Sequence, residues 1–313
     1  MPPLPTGRGR RTACHAIALE LAADQCGVIT RAQLGAAGIT RHDVRNAVAA
    51  GRWHLLGRET VLVDGSVPIS GDAQLWWAVL ESGSSAALDG VTALIAAGMT
   101  GFTPVGLHIS VPRGAPRRPL DGTITHQPRD IGPIIGGGIP RVQPETASIR
   151  AAQWAVSDRQ AALILCMAVQ QRLVATKRLL KRWENVQRAV RRALIDQVIR
   201  DLVDGAHSLG ELDFAAACRA RGLPEPTRQA VRTGPDGRVY LDVAWEDIGL
   251  VVEIDGSHHA LVEHSLGDAF RQNEVVLNGE TVLRIPLVAM RVRMEEFMDQ
   301  VERAHQNLTR GAA

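Results

Sequence analysis

Asp242, Glu253 and Asp255 are the residues whose types and spacing best fit a chemical role. They lie in two alternating runs, Val239–Trp245 and Leu250–Gly256, joined by Glu246-Asp247-Ile248-Gly249. Pairing the runs as a hairpin sets Trp245 opposite Leu250 and Asp242 opposite Glu253, with Cβ atoms about 5 Å apart. Asp255 then falls on the same face, diagonal to Asp242. The other face reads Leu241, Val243, Trp245, Leu250, Val252 and Ile254, wholly apolar, and must be the core side. Three carboxylates sharing one face repel one another, and a divalent cation would relieve that repulsion. Hard oxygen donors of this kind suit Mg²⁺ or Mn²⁺. A metal so held would activate water and neutralise charge developing on a phosphate, so the expected reaction is metal-dependent phosphodiester hydrolysis.

Other side chains could support that chemistry, and each has a structural reading beside it. Glu211 either completes the acidic cluster or forms a helix capping box with Ser208. His258, with His259 beside it, follows the Glu-x-Asp-Gly turn. There an imidazole could act as general base or protonate the leaving oxygen, or be an ordinary loop histidine. Gln229 could orient a metal-bound water or close the helix–strand connection. Arg271 and Arg284 could supply positive charge to the site or pair with Asp268 and Glu253.

The pattern over roughly residues 206–305 resembles the PD-(D/E)XK nuclease superfamily, and more closely its branch related to very-short-patch repair endonucleases (Vsr-like domains). The carrying residues are Ser208 and Glu211, Pro224, Pro226 and Gln229, then Asp242 and Glu253-Ile254-Asp255-Gly256. Asp268-Ala269-Phe270-Arg271-Gln272-Asn273 and the stretch from Gly279 to Arg284 complete them. The resemblance implies the order helix, three strands, helix, strand, and a magnesium-dependent endonuclease site. The superfamily's usual lysine, two residues after the second acid, is here Asp255; the Vsr-like branch commonly has an acid there.

A second constellation lies near the N-terminus. Residues 12–25 carry Cys14, Ile17, Ala18, Leu21 and Ala22 at helical spacing. Thr30 with Gln33, and Thr40 with Asp43, read as helix starts, with Gly38 and Gly51 at the stops. The helix over 40–50 would bury Val44, Ala47 and Val48 and present Arg41, His42, Arg45 and Asn46 outward. Such side chains suit phosphates and base edges. Arg52, also a candidate DNA contact, opens a hairpin over 52–63 turned at Gly57-Arg58. Helix, turn, helix and hairpin is a DNA-binding layout, the winged helix; the other use of that layout is protein contact alone.

This segment resembles the AbiEi antitoxin domain of type IV toxin–antitoxin systems. The resemblance is carried by Cys26-Gly27-Val28-Ile29-Thr30-Arg31-Ala32-Gln33-Leu34, then Gly38-Ile39-Thr40, Gly51-Arg52-Trp53 and Val61-Leu62-Val63. It implies operator binding and repression of the protein's own promoter, with a cognate toxin as a partner.

Charge divides the labour. Residues 1–65 carry eight basic against five acidic side chains, 66–150 six of each, 151–205 ten against five, and 206–313 eleven against seventeen. Any grip on phosphates should therefore come from the first and third segments rather than from the acidic C-terminal one. The basic helices over 177–192 are either a DNA contact or a solvated face. At 313 residues the chain has room for several cores. Its longest apolar run, 161–169, is too short to span a bilayer. The N-terminus lacks a signal-peptide core, and four scattered cysteines have no metal-ligand spacing and fit a reducing cytoplasm. Helices are expected over 75–80, 86–97 and 158–204, a strand over 105–111, a basic loop over 113–119 and a flexible glycine-rich turn over 132–140. The Trp76-Trp77 pair should be core.

The expected architecture is α/β multidomain. It comprises a winged helix (1–65), a small α/β middle domain (66–157), a basic helical connector (158–205) and a restriction-endonuclease-like Vsr-type domain with a mixed sheet (206–313). The main functional expectation is a cytoplasmic DNA-binding endonuclease of genome defence or repair. The alternative is a non-catalytic antitoxin-like regulator with a degenerate nuclease fold. DNA is the expected partner, with a toxin or a second copy beside it and no membrane.

Overall fold

Local sequence signals start the second and third N-terminal helices where expected. A computed structural model describes residues 7–204, 210–233, 239–255, 281–286 and 294–312. Helix α1 (Gly7–Ala22) begins five residues earlier than the apolar spacing suggested and passes through a short 3₁₀ turn into β1 (Val28–Thr30). Helix α2 (Arg31–Ala36) opens on a capping box of Thr30 with Gln33, and α3 (Arg41–Ala49) on one of Thr40 with Asp43. Each box satisfies amides that the first helical turn leaves orphaned, and a capping side chain contributes about 1 kcal/mol. Gly38 and Gly51 follow the two helices at φ of 79° and 68°, a left-handed conformation that glycine adopts without Cβ strain. Strands β2 (His54–Leu55) and β3 (Thr60–Leu62) form a hairpin, and the sheet order is β1-β3-β2.

Ala18, Ile29, Leu34, Ile39, Val44, Trp53 and Val61 pack into one core beneath these elements. Trp53 is 1% exposed, and its indole N–H donates to Nδ1 of His15 at 3.0 Å. Burial of the ring ties the start of the hairpin to α1.

The chain folds as two compact units, Met1–Arg150 and Ala151–Ala313. In the first, the hairpin is followed by α4 (Asp72–Ser82), β4 (Ala87–Leu88), α5 (Gly90–Ala96), β5 (Leu107–Ser110), β6 (Thr123–His126), β7 (Ile134–Ile135) and β8 (Arg141–Val142), and α6 (Pro144–Trp154) begins. Its larger sheet has the order β6-β5-β4-β8-β7 and mixes parallel and antiparallel pairs. Two expectations are corrected here. The helix expected over 86–97 yields its first residues to β4, because Asp89 caps α5 through the Gly90 N–H and stops the helix extending backwards. The glycine-rich stretch holds strand β7, and Gly136 to Gly138 turn the chain back into β8. Trp76 is buried as expected; Trp77 is half-buried.

In the second unit α7 (Asp158–Gln170), α8 (Thr176–Glu184) and α9 (Arg192–Asp204) pack through Leu165, Leu179, Trp183, Ile195 and Ile199, all buried. Trp183 donates to Asp196 at 2.9 Å and takes the Arg192 guanidinium 5.0 Å above its ring.

Beyond them lie α10 (Gly210–Ala220), β9 (Arg228–Thr233), β10 (Val239–Trp245), β11 (Leu250–Asp255), β12 (Thr281–Pro286) and α11 (Met294–Ala312). The sheet order is β12-β11-β10-β9, antiparallel except for the parallel pair β11–β12. Val243, Trp245, Leu250, Val252 and Ile285 bury one face against Phe214 and Cys218 of α10 and Met298 and Val301 of α11. The Trp245 indole N–H donates to the Pro224 carbonyl at 2.9 Å. Ala244, on the opposite side of the strand, is also buried, at 2% exposure. No helix among the described residues is long and apolar enough to cross a membrane.

Candidate nucleic-acid interface

Helix α3 presents its polar face because its apolar positions are used. Val44 and Ala47 are buried and Val48 half-buried, so Arg41, His42, Arg45 and Asn46 are left exposed. The helix is held in place by Arg10 from α1. Its Nε and Nη2 reach the two Asp43 oxygens at 2.9 and 2.8 Å, and Nη2 also donates to the Gly38 carbonyl at 3.2 Å. Arg10, followed by the Thr40 hydroxyl and amide, holds the Asp43 carboxyl well below the usual carboxylate range. The acid on this helix is thus neutralised by an arginine that serves structure.

A groove of about 580 Å³ runs beside α3, lined by Arg31, Arg41, His42, Val44, Arg45, Val48 and Leu55. Among the described residues its polar side chains are three arginines and one histidine, with no carboxylate. Arg45 Nη2 lies 2.8 Å from Nδ1 of His42; a guanidinium only donates, so that nitrogen accepts. Leu55 of β2 is 51% exposed and supplies an apolar wall. Such a concave cationic surface attracts polyanions.

The structure divides the five DNA-contact candidates of this segment. Arg41, His42 and Arg45 line the groove, whereas Asn46 and Arg52 border a separate cavity of about 20 Å³ with Arg11, His15, Asp43 and Trp53. Arg31 of α2 and Leu55 of the hairpin also line the groove, and no pattern on α3 marks them as contacts.

For the acidic cluster the structure gives backbone register. Asp242 pairs with Glu253, Trp245 with Leu250, and Asp255 with Tyr240. Gln229 of β9 pairs with Val243, and Glu253 stands beside Arg284 of β12. Glu211 lies in the first turn of α10. The side chains of Glu211, Gln229, Asp242, Glu253, Asp255 and Arg284 lie outside the described residues, as do Ser208, His258, His259, Asp268 and Arg271 altogether. Among the described residues no group of three or more His, Cys, Asp or Glu could hold a metal ion.

Residues 17–58 match the family described as "Transcriptional regulator, AbiEi antitoxin". That segment, running from α1 to the β2–β3 turn, is similar to an antitoxin-type transcriptional-regulator domain. Among curated proteins nothing matches. Among solved structures, the chain is similar to the RV2827C protein from Mycobacterium tuberculosis. The two are 18% identical, the match covers 62% of this chain and 76% of that one, and the TM-score is 0.36. A likeness that loose carries no functional argument.

Proposed function

We propose that the protein is a DNA-binding transcriptional regulator of the antitoxin type, acting in the cytoplasm. Residues 1–65 would form a winged helix, 66–157 a small α/β domain and 158–205 a basic connector. Residues 206–313 would carry a Vsr-type nuclease fold. The observation that carries this reading is the groove beside α3, with Arg31, Arg41, His42 and Arg45 and no acid in its wall. In this account α3 enters the major groove, Arg41 and Arg45 meet phosphates or guanine edges, and the hairpin lies along the backbone. Arg52 and Asn46, on the other side of α3, would reach a flanking phosphate. A toxin or a second copy of the chain is the expected protein partner. The test is binding to the DNA upstream of the protein's own coding sequence, followed by a promoter-reporter assay. Repression by the wild type that is lost in Arg41→Ala/Arg45→Ala supports the reading, and equal expression with and without the wild-type protein sinks it.

A second reading is favoured by one observation, the pairing of Asp242 with Glu253 in the β10–β11 register. Opposed positions of an antiparallel pair share a sheet face, and paired carboxylates are the donor chemistry that Mg²⁺ or Mn²⁺ takes. Asp242, Glu253 and Asp255 would hold the ion, with Glu211, Gln229 and His258 as supporting residues. The bound metal would supply Lewis acidity for phosphodiester hydrolysis. The regulator reading now stands ahead of this one, because the matched domain is that of a transcriptional regulator. Nicking of supercoiled plasmid in Mg²⁺ by the wild type, lost in Asp242→Ala, would restore the enzyme reading.

A further inference from the structure

The β2–β3 turn is anchored from outside the N-terminal segment. Glu81, near the C-terminal end of α4, is 3% exposed, and its carboxylate meets the turn directly. Oε1 accepts from the backbone N–H of Arg58 at 2.7 Å and of Glu59 at 3.0 Å. Oε2 accepts from the Glu59 N–H at 3.1 Å and from the Thr60 hydroxyl at 2.6 Å. Gly57 completes the fit, since a Cβ there would lie 2.5–2.7 Å from the carboxylate carbon and oxygens. A glycine is needed at that position for space, whatever its backbone conformation. Arg118 adds a second tie: Nη1 donates to the Glu81 carbonyl at 3.0 Å, and Nη2 stands 3.3 Å from Glu59 Oε1.

A buried carboxylate is costly unless its lone pairs are filled. Here they are filled by the donors of one turn, and the side chain that this turn carries outward is Arg58, 90% exposed, with its Nε 3.9 Å from Oε1 of the neighbouring Glu59. Fixing the Arg58 and Glu59 amides fixes the direction in which the Arg58 side chain leaves the backbone. An exposed arginine on a rigid turn, three residues along the chain from the groove-lining Leu55, is suited to a phosphate.

We propose that Glu81 is a positioning residue that aims Arg58 at a DNA phosphate, so that the DNA reader extends beyond the hairpin into α4 and Arg118. This rests on the DNA-binding reading above and adds a residue that belongs to neither α3 nor the hairpin. It follows that residues 1–65 alone lack the anchor of their own turn.

The test uses the full chain and a mixed-sequence DNA duplex of about 30 base pairs, with affinity measured across salt concentrations. Arg58→Ala should weaken binding several-fold and make the log–log salt dependence shallower by about 0.9, the value for one lost phosphate contact. Glu81→Ala should do much the same, and the double variant should bind no worse than either single one. Arg41→Ala should keep its full effect in the Glu81→Ala background, because α3 is held by Arg10 instead. Glu81→Gln retains one carbonyl acceptor and should lie between wild type and Glu81→Ala; it also serves if Glu81→Ala fails to fold. Additive losses from Glu81 and Arg58 would overturn the proposal, as would an unchanged salt slope in Arg58→Ala or unchanged affinity in a folded Glu81 variant. Failure of the wild type to bind any duplex is a different outcome, and takes the DNA-binding reading down as well.

Discussion

The N-terminal hairpin and the C-terminal hairpin are built for opposite electrostatic tasks. The β2–β3 hairpin and α3 frame a groove with arginines in its wall, and the nearby acids have partners: Asp43 in Arg10, Glu81 in the turn amides, Glu59 in Arg118 and Arg58. The β10–β11 hairpin sets one acid against another in register, within a segment of seventeen acidic and eleven basic side chains. A phosphate backbone is attracted to arginines and repelled by paired carboxylates unless a cation intervenes. On the two proposed readings the first hairpin would read DNA and the second would need a metal, so breaking each should have separable consequences.

The largest effects should come from two of the buried tryptophans, one beneath each hairpin. Trp53 and Trp245 are each 1% exposed, and truncating either to alanine should cost about 3–5 kcal/mol in its own core. In Trp53→Ala duplex binding should collapse with the α3 core. In Trp245→Ala binding should survive while the C-terminal core melts early, since the two cores are distinct clusters. Calorimetry with parallel anisotropy titrations checks this; equal loss of binding in both variants would erase the contrast.

Next in size is the metal response. An ion bound only by the native state must stabilise it by mass action. If the acid pair holds Mg²⁺ or Mn²⁺, millimolar metal should raise the wild-type melting temperature, and Asp242→Ala or Glu253→Ala should abolish the rise. No shift, together with no nicking, would leave the regulator reading alone.

Acid titration gives a smaller effect in the middle of the first unit. His126 is pushed down to about 4, first by burial and then by the charges of His108, Arg150 and Arg117. An unfolded histidine titrates near 6.5, so the unfolded chain takes up protons that the folded one refuses. Stability should be full above about pH 6.5, fall as pH drops toward 4, and level off below that. His126→Gln should flatten that part of the profile in pH-dependent melting.

The smallest effect concerns Asp43, held below its ordinary value by Arg10 and Thr40. Its contribution should be present above the usual carboxylate pKa of about 4 and be lost only in stronger acid. Asp43→Asn should lower the melting temperature at pH 7 and narrow the gap to wild type at acid pH.

What could be read from the sequence was local. The capping boxes of Thr30 and Thr40 close over three residues, so residue types at fixed offsets announce them. The β10–β11 register follows from strict alternation and a four-residue connection, and the backbone pairs the residues accordingly. Strands of two residues, such as β4 and β7, are too short to show a period, so the pattern around the first suggests a helix and that around the second a glycine-rich turn. The groove was half legible: Arg41, His42 and Arg45 share a helix face, but Arg31 and Leu55 reach it only through folding. Glu81 lies 21 residues or more from the turn donors it accepts from. In sequence it reads as one more helical glutamate; only its burial against Gly57 gives it a role.

The central claim, that the α3 groove is the DNA-reading surface, is tested most directly by comparing paired substitutions at the two ends. Duplex affinity of the full chain would be measured across salt concentrations for wild type, Arg41→Ala/Arg45→Ala and Asp242→Ala/Glu253→Ala. The account predicts much weaker binding and a salt slope shallower by about 1.8 in the arginine pair, two phosphate contacts at about 0.9 each, with the acid pair unchanged. Unchanged affinity and slope in the arginine pair would contradict it.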